Sequence, residues 1–545
     1  MFFSGNKILL TLLIGLVFLT GNAQVNFEWV KNAGGPTGDY SRSVATDNEG
    51  YIYITGEFSD TVHFDDFELN SDYYDMYVAK YRNSGMAVWV RQASASTDIF
   101  SSAVTTDSEN NVYVTGFFLD TAYFEDTMIT CPALDYSVDI YTAKYTNAGE
   151  LLWVRHAGGE NEDKSYQIAS DTDDNIYVIG QFRETMIADE DTITAPIGAH
   201  AIFILKYDKN GNKIWLKIIK SLNMGCCHGK FITTDNQNNY YISGNFENNI
   251  DFTDTVLYLE QGNCFFAKYD HNDNFQWARQ APYGNFHSIV CDEYQNVYIG
   301  GQFYGTTNFG DDTLTSNGIS DIFISRYNSA GDLQWIRQAG GIGDDGSYSI
   351  TSNDNNNFII TGNFYGKAWF EEDSVTAFNN YDVDMFIADY DSTGDMKWLK
   401  SFGGPGDDES KSITTDDQSN IYLTGCFYNG LLYDSDTLIG YGNKDIFLAR
   451  IHDSIVNINM PVEDPDLFIL YPNPARDLIN IGITGINTKL NLDIYNISGT
   501  NVLKRQINAI NGNTVQVNLK GLSKGLYILR VYNTNTTYTG KLVIY

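Results

Sequence analysis

The sequence predicts an all-β chain built as a closed array of like units, and three observations carry that prediction. Trp recurs at 29, 89, 153, 215, 277, 335 and 398, at intervals of 60, 64, 62, 62, 58 and 63 residues. Each unit holds four short runs of β-branched and aromatic residues, divided by Gly, Asn and Asp. The array opens on a lone fourth run, FEWVKNA (27–33), and closes on a third run, DIFLARI (445–451), with no Trp run behind it. Four-stranded antiparallel units repeated in this way are the blades of a β-propeller. The complementary fragments predict a seven-bladed ring closed by the N-terminal strand, which covers two edges that would otherwise invite aggregation.

Within a unit the first run ends in Asp, as in SVATD (43–47). The second is YIYITGEF (51–58), the third DMYVAKY (75–81), and the fourth carries the Trp, as in AVWVRQA (87–93). Asp47, Asp107, Asp171, Asp235, Asp292, Asp354 and Asp416 each precede a second run by a few residues, with Asn or Gly between. An Asp there accepts N–H groups of its own turn, and Asn or Gly tolerates the left-handed backbone of a tight hairpin. Gly56, Gly116, Gly180, Gly244, Gly301, Gly362 and Gly425 interrupt the second run, which suits a bulge or a close approach of two backbones. The recurring Trp residues supply packing area on each fourth strand.

The formal charge is -35, from 34 basic and 69 acidic residues. So acidic a surface repels phosphate backbones and anionic lipid, which speaks against nucleic-acid and peripheral membrane partners. The charge is uneven: residues 467–545 carry eight Lys or Arg against two Asp, a net of +6, leaving -41 on the rest. That shift marks a domain boundary. At the start, Lys7 precedes an apolar run from Ile8 to Leu19, and Gly21 and Ala23 are small residues suited to cleavage, so 1–23 reads as a signal peptide. No later run is long and apolar enough for a membrane span in the mature chain. The six cysteines do not follow the repeat; Cys264 stands where other units carry Ile or Met, as a buried thiol would.

The phrases D-x-x-x-N-x-Y-[IV]-T-G and D-x-[FY]-x-A-[KR]-Y, followed by G-x-x-x-W, resemble the bacterial β-propeller repeat family called SBBP, over about 27–452. That resemblance implies the fold and no particular activity. Residues 453–466 (DSIVNINMPVEDPD) break the repeat and read as a linker. The tail, 467–545, alternates apolar residues with Gly turns over the length of a small β-sandwich. It resembles the type A sorting domain of the type IX secretion system, through Tyr471-Pro472-Asn473-Pro474, Asp493 with Gly499, Gly525 with Tyr527, and Lys541. The resemblance implies a translocon and a sorting protease as partners, and delivery of the propeller into the medium or onto the cell surface by way of the periplasm.

Two loops, GGIGDD (340–345) and GGPGDD (403–408), fit the G-G-x-G-x-D phrase of calcium-binding β-rolls, but recur too far apart to share ions as those rolls do. Asp344, Asp345, Asp407 and Asp408, with Asp39 and Asp163, are the candidate Ca²⁺ carboxylates, set against plain Gly-rich turns. The units depart most from one another where LNMGCCHGKF (222–231), AHA (199–201) and APYGNFHSIV (281–290) replace the usual phrases. Cys226, Cys227, His228 and His287 are the candidate thiolate and imidazole ligands there, in no standard metal spacing and set against local irregularity or a disulfide. No catalytic motif occurs. The sequence therefore reads as a secreted or surface-displayed binding module for an extracellular glycan or protein. The alternative is an extracellular enzyme acting on polysaccharide at the propeller channel.

Overall fold

A computed structural model describes residues 25–545, apart from 133–136, 223–224, 254, 260–261, 282, 311, 354–356, 380, 435, 453–467, 472–474, 477, 484–487, 497–500, 510–513, 533–536 and 545. The expected signal peptide and linker lie outside the described residues, as do Asp354, Pro472, Asn473, Pro474 and Gly499. The chain divides into two compact units, Met1–Asp453 and Ser454–Tyr545.

The first unit is a succession of antiparallel sheets, one to a sequence repeat. Their first strands are Tyr40–Thr46, Ile99–Thr106, Lys164–Ser170, Cys227–Thr234, Gly284–Cys291, Gly346–Ser352 and Glu409–Thr415, which number the repeats 1 to 7. In repeats 1 to 6 the strands follow in sequence order across the sheet. In repeat 7 the fourth place is held by Asn26–Ala33, antiparallel to Asp436–His452, with Val30 opposite Ala449 and Ala33 opposite Ile446. First strands of neighbouring repeats are joined by hydroxyls: Thr106, Ser170 and Thr234 donate to the carbonyls of Thr46, Thr106 and Ser170, and Thr46 donates to Thr415.

The turn Asp behaves as the sequence predicts and does more. Asp47 Oδ1 accepts from the amides of Glu49 and Tyr51, and Oδ2 accepts from the Tyr53 hydroxyl. Asp107, Asp171, Asp235, Asp292 and Asp416 repeat the bond to a Tyr hydroxyl. Lys80, Lys144 and Lys206 lie buried over the same Tyr rings, within 4.0 Å of the Asp. In repeat 6 the turn place belongs to Asn353 and not Asp354: Asn353 Oδ1 accepts from Asn357 N. Ile359 replaces the Tyr there and Asp389 the Lys, so the whole ionic group is exchanged together. The second-strand Gly are close-approach positions. A Cβ on Gly56 would meet the Tyr40 carbonyl at 1.8 Å, and on Gly425 the Glu409 carbonyl at 2.0 Å.

Most of the recurring Trp residues staple their repeat to the next. Trp29, Trp89, Trp277 and Trp335 donate to the carbonyls of Asn83, Asn147, Ser329 and Ser392, in the turn between the third and fourth strands of the following repeat. Gly85, Gly149, Gly331 and Gly394 hold left-handed backbone in those turns, against the indole faces.

The sequence reading missed one element. Between second and third strands each repeat carries an extra hairpin, such as Thr121–Phe124 with Thr127–Thr130 and Lys367–Phe370 with Asp373–Thr376. In five repeats its tip uses a left-handed acidic residue, Asp65, Glu125, Asp189, Glu371 or Asp434, and in repeats 4 and 5 that place is held by Thr253 and Gly310. In repeats 2, 4 and 6 the hairpin pairs with the fourth strand of the preceding repeat, as in Ser94 opposite Tyr123 and Gly340 opposite Trp369.

The second unit has two sheets, one of Phe468–Tyr471, Leu478–Ile483 and Thr514–Asn518, the other of Asn501–Ala509, Thr488–Asn496, Gly525–Tyr532 and Thr537–Ile544. Both contribute to one core, in which Ile479, Ile481, Leu490, Leu492, Ile494, Val517, Leu529 and Val531 are fully buried. The alternation of Leu490, Leu492 and Ile494 is the period-two pattern of a strand with one covered face.

Candidate functional site

The calcium candidates sit at the seams between repeats, and most of their donors are backbone amides. Asp345 is buried, with Oδ2 accepting from Gly341 N at 2.6 Å and Oδ1 from Tyr365 N at 2.9 Å. Asp408 repeats this with Gly404 and Tyr428, at 2.5 and 2.9 Å. Asp163 accepts from Arg183 N, and Asp39 occupies the same place beside Gly35 and Ser59. Asp344 accepts from the Ser320 hydroxyl and Asp407 from Val383 N. The carboxylates of Asp163, Asp344, Asp345, Asp407 and Asp408 are thus used within their own seams, the buried Asp39 oxygens have no hydrogen-bond partner among the described residues, and the four residues 344, 345, 407 and 408 are not brought to one point.

A second Asp, at the start of the third strand of the preceding repeat, faces each of these. Asp445, Asp139, Asp321 and Asp384 add repulsion to Asp39, Asp163, Asp345 and Asp408. Burial first, and the neighbouring carboxylate after it, push Asp39 and Asp163 up to about 8, Asp408 to about 7 and Asp345 to about 6. The double Gly is a consequence of this packing. A Cβ on Gly403 would lie 2.3 Å from the Asp384 carboxyl carbon, and on Gly404 1.9 Å from the Gly430 carbonyl.

The seam between repeats 3 and 4 is built of other groups. Ala201 takes the place of the third-strand Asp and Cys227 that of the loop Asp, while Lys220 and Ser221 replace the two Gly. The Cys227 thiol is buried, donates to the carbonyls of His200 and Ile219 at 3.4 and 3.6 Å, and is pushed up to about 12 by burial. Above it, His200, Cys226 and His228 each offer one ligand atom, all within 4.8 Å of one another. Among the described residues this is the one group of three His, Cys, Asp or Glu so placed. Of the sequence candidates it takes Cys226 and His228. Cys227 turns away, and His287 is elsewhere: its ring stacks on Tyr348 at 4.8 Å and its Nδ1 bonds to the Ser347 carbonyl. His200 was not singled out in the sequence, although the AHA phrase that contains it was. Burial pushes His228 down to about 4 and lowers His200.

A further set of residues was invisible in the sequence. Every first strand carries a one-residue bulge opposite the second-strand Gly, at Arg42, Ser102, Tyr166, Lys230, His287, Tyr348 and Lys411. In a chain of net charge -35 these positions hold no acid. They are mutual neighbours: Lys230 lies 4.2 Å over the Tyr166 ring, Lys411 5.6 Å over Tyr348, and Lys230 and Lys411 both help lower His287, after burial, to about 4. Arg42 pairs with Glu57 and Lys411 with Glu409. Lys230 has no carboxylate within ion-pair distance among the described residues, and burial with Lys164 lowers its pKa.

In the tail, buried Asp493 accepts from the hydroxyls of Tyr495 and Tyr532 through Oδ2. The Tyr527 hydroxyl donates to the Ser523 carbonyl at 2.7 Å, and Gly525 opens the strand that carries Tyr527. Tyr471 is exposed, with its hydroxyl 3.2 Å from Thr514 Oγ1. Lys541 stands opposite Ile528 in the sheet, and its side chain is outside the described residues.

Repeats with this strand order and these inter-repeat staples define a protein of the β-propeller class with a separate sandwich domain. Comparison with known proteins agrees. The beta-propeller repeat family model matches 28–57, 88–116 and 397–425, and the secretion system C-terminal sorting domain model matches 469–545. The chain is a propeller-repeat protein bearing a type IX sorting domain, and is destined for the cell surface or the extracellular space. An uncharacterized WD repeat-containing protein, L264, of Acanthamoeba polyphaga mimivirus is 26% identical over 235 residues, 35% of this chain and 17% of that protein's length. Among solved structures, the Dos1 propeller aligns at TM-score 0.38 and 9% identity, over 78% of this chain and 95% of that one. PorZ, a surface component of the type IX secretion system of Porphyromonas gingivalis, aligns at 0.27 and 11%, over 93% and 81%. At these TM-scores the fold argument rests on the chain's own sheets.

Proposed function

We propose that this chain is a secreted or cell-surface binding module, a seven-bladed ring over 24–452 joined by a linker, 453–466, to a detachable sorting domain, 467–545. Ring closure by the N-terminal strand is supported by the pairing of Asn26–Ala33 with Asp436–His452 and by the Thr46–Thr415 bond. The sorting domain is read by the type IX translocon and its sorting protease, with Tyr471, Asp493, Gly525, Tyr527 and Lys541 in the motif. The propeller's ligand is an acidic glycan, bound at the bulged positions of the first strands.

One observation carries the ligand reading: Lys230, a cation between Tyr166 and His287 with no carboxylate partner among the described residues, in a row without acids on a strongly acidic protein. Aromatic faces stack on sugar rings, and a cation with no internal partner is free for a carboxylate or sulfate. The test is a binding screen of the full chain against neutral and acidic polysaccharides, with product analysis alongside. Acidic polysaccharide is expected to bind in a salt-sensitive way, and Lys230→Met to weaken it about tenfold, the loss of roughly 1.4 kcal/mol. Equal binding of neutral and acidic polysaccharide, or an unaffected Lys230→Met, sinks this reading. Shortened products would favour the enzyme alternative.

A further inference from the structure

We infer that His200, Cys226 and His228 form a zinc site that bridges repeats 3 and 4. Three elements supply the ligands. His200 opens the third strand of repeat 3, Cys226 lies in the inter-repeat loop, and His228 belongs to the first strand of repeat 4. One thiolate and two imidazole nitrogens are a donor set that zinc takes in tetrahedral sites, with the fourth position left for water or another ligand. Bond lengths to zinc place tetrahedral ligand atoms roughly 3.5 Å apart. The present 4.8 Å limit therefore closes by small side-chain rotations.

Two independent details orient the ligands. The His228 Nδ1 hydrogen bonds to Gln181 Oε1, which can only accept, so the proton sits on Nδ1 and the Nε2 lone pair is free. The His200 Nδ1 is buried and has no hydrogen-bond partner among the described residues. A buried polar atom left unpaired is destabilising unless something absent from the protein chain meets it. The loop is fixed as well: Cys226 N donates to Glu247 Oε2, and the Cys226 carbonyl accepts from Glu247 N. Gly225 permits this, since a Cβ there would meet Asn248 Cβ at 2.6 Å. Glu162 and Glu247 bring negative charge to both imidazoles, which favours a divalent cation, while Lys164, Arg183 and Lys230 oppose it.

The site also answers a structural need. Two other seams are held by a loop Asp that gathers two amides, Asp345 and Asp408, and two more carry Asp39 and Asp163 in that place, whereas this seam has Cys227 there, as the seams before repeats 2 and 5 have Ile99 and Gly284. A metal bound across His200, Cys226 and His228 would join the two repeats where that staple is missing.

The test uses the full chain, tag-free, reduced and stripped with chelator, then titrated with Co²⁺ and Zn²⁺. One Co²⁺ per chain is expected, with a thiolate-to-cobalt charge-transfer band that Zn²⁺ abolishes and Ca²⁺ does not. Cys226→Ser and His200→Ala should lose the band, while His287→Ala should keep it. Gln181→Leu should weaken binding about 10–100-fold, as removal of an outer-shell partner does. Zn²⁺ should raise the melting temperature of the wild-type chain and leave that of Cys226→Ser unchanged. Cys226 is half-buried and Ser matches its size, so the stripped variant should melt with the stripped wild type. The inference is overturned if the wild-type chain takes up no stoichiometric Co²⁺. It is equally overturned if the band survives Cys226→Ser and His200→Ala, or disappears in His287→Ala.

Discussion

The seam between repeats 5 and 6 and the seam between repeats 3 and 4 solve one packing problem with different chemistry. In the first, Asp321 and Asp345 face one another under Gly340 and Gly341, and Asp345 gathers the amides of Gly341 and Tyr365. In the second, Ala201 and Cys227 hold those places under Lys220 and Ser221, and the thiol donates to carbonyls. The backbone frame is shared: Gly340 stands opposite Trp369 as Lys220 stands opposite Asp251 in the extra hairpins. What changes is the polar load. A buried carboxylate makes strong bonds to amides, yet it sits beside a second carboxylate and takes up a proton near neutrality. A buried thiol bonds weakly and leaves its seam to be held by something else. The lesson is that a repeat protein keeps its frame by conserving close approaches, and can free one seam for a site by changing what fills it.

The largest expected effect comes from removing the polar staple. Asp408→Ala would leave the amides of Gly404 and Tyr428 buried without acceptors. Each unsatisfied buried donor costs about 1–3 kcal/mol, so a loss of roughly 2–5 kcal/mol is expected in chemical denaturation of the full chain. Cys227→Ala, at the matching place, removes a small apolar group with weak bonds and should cost about 1 kcal/mol. Equal losses at the two positions would break the comparison.

Much of the frame was legible in the sequence, for physical reasons that can be named. The turn Asp and second-strand Gly are local: an Asx turn bonds two and four residues ahead, and the Gly answers to a neighbouring strand in every repeat. Repetition then separates them from chance. The extra hairpin was equally repeated, as VHFDD (62–66), AYFED (122–126) and AWFEE (368–372), but its strands are short and exposed on one face. The bulged row was not legible, because one extra residue reverses which face of a strand a side chain occupies. Nothing in the alternation around Lys230 marks the bulge. The His200 contact was missed because it lies across a seam, between elements with no local pattern in common. Cys226 and His228 were found only because their loop departs from its siblings.

A change of pH should separate the two seams without mutation. Asp39 and Asp163, pushed up to about 8, and Asp408, to about 7, bind a proton in the folded protein that the unfolded chain does not hold above pH 5. With these folded-state values raised, the folded state binds more protons over this range, so stability falls as pH rises toward 8. Lowering the pH from 8 to about 7.2 should therefore raise the melting temperature, in a window where unfolded His, with its ordinary value near about 6.5, remains mostly neutral. The local readout is hydrogen exchange corrected for intrinsic rates. Protection of Glu409–Thr415 should rise over that interval, while that of Cys227–Thr234 changes least. A uniform response along the first strands would mean that the carboxylate pairs do not set the pH dependence.

The smallest effect is expected where the array meets its own start, and it extends the comparison to a third seam. Trp335 in repeat 5 donates to the Ser392 carbonyl, in the turn between the third and fourth strands of repeat 6. Trp398 in repeat 6 has no such turn ahead of it, since repeat 7 takes its fourth strand from Asn26–Ala33 at the other end of the chain. Its Nε1 is accordingly buried without a partner among the described residues. Trp29, on that borrowed strand, does find its turn, at the Asn83 carbonyl of repeat 1. Replacing Trp by Phe removes the donor along with part of the ring. At Trp335 it strands the carbonyl and should cost about 1 kcal/mol more than at Trp398, where the indole N–H has nothing to lose. Trp29→Phe should group with Trp335→Phe if the N-terminal strand serves as a true fourth strand. Denaturation midpoints of the three variants at constant slope measure this. If Trp29→Phe is as mild as Trp398→Phe, the borrowed strand contributes no staple, and closure of the array through it rests on the strand pairing and the Thr46–Thr415 bond alone.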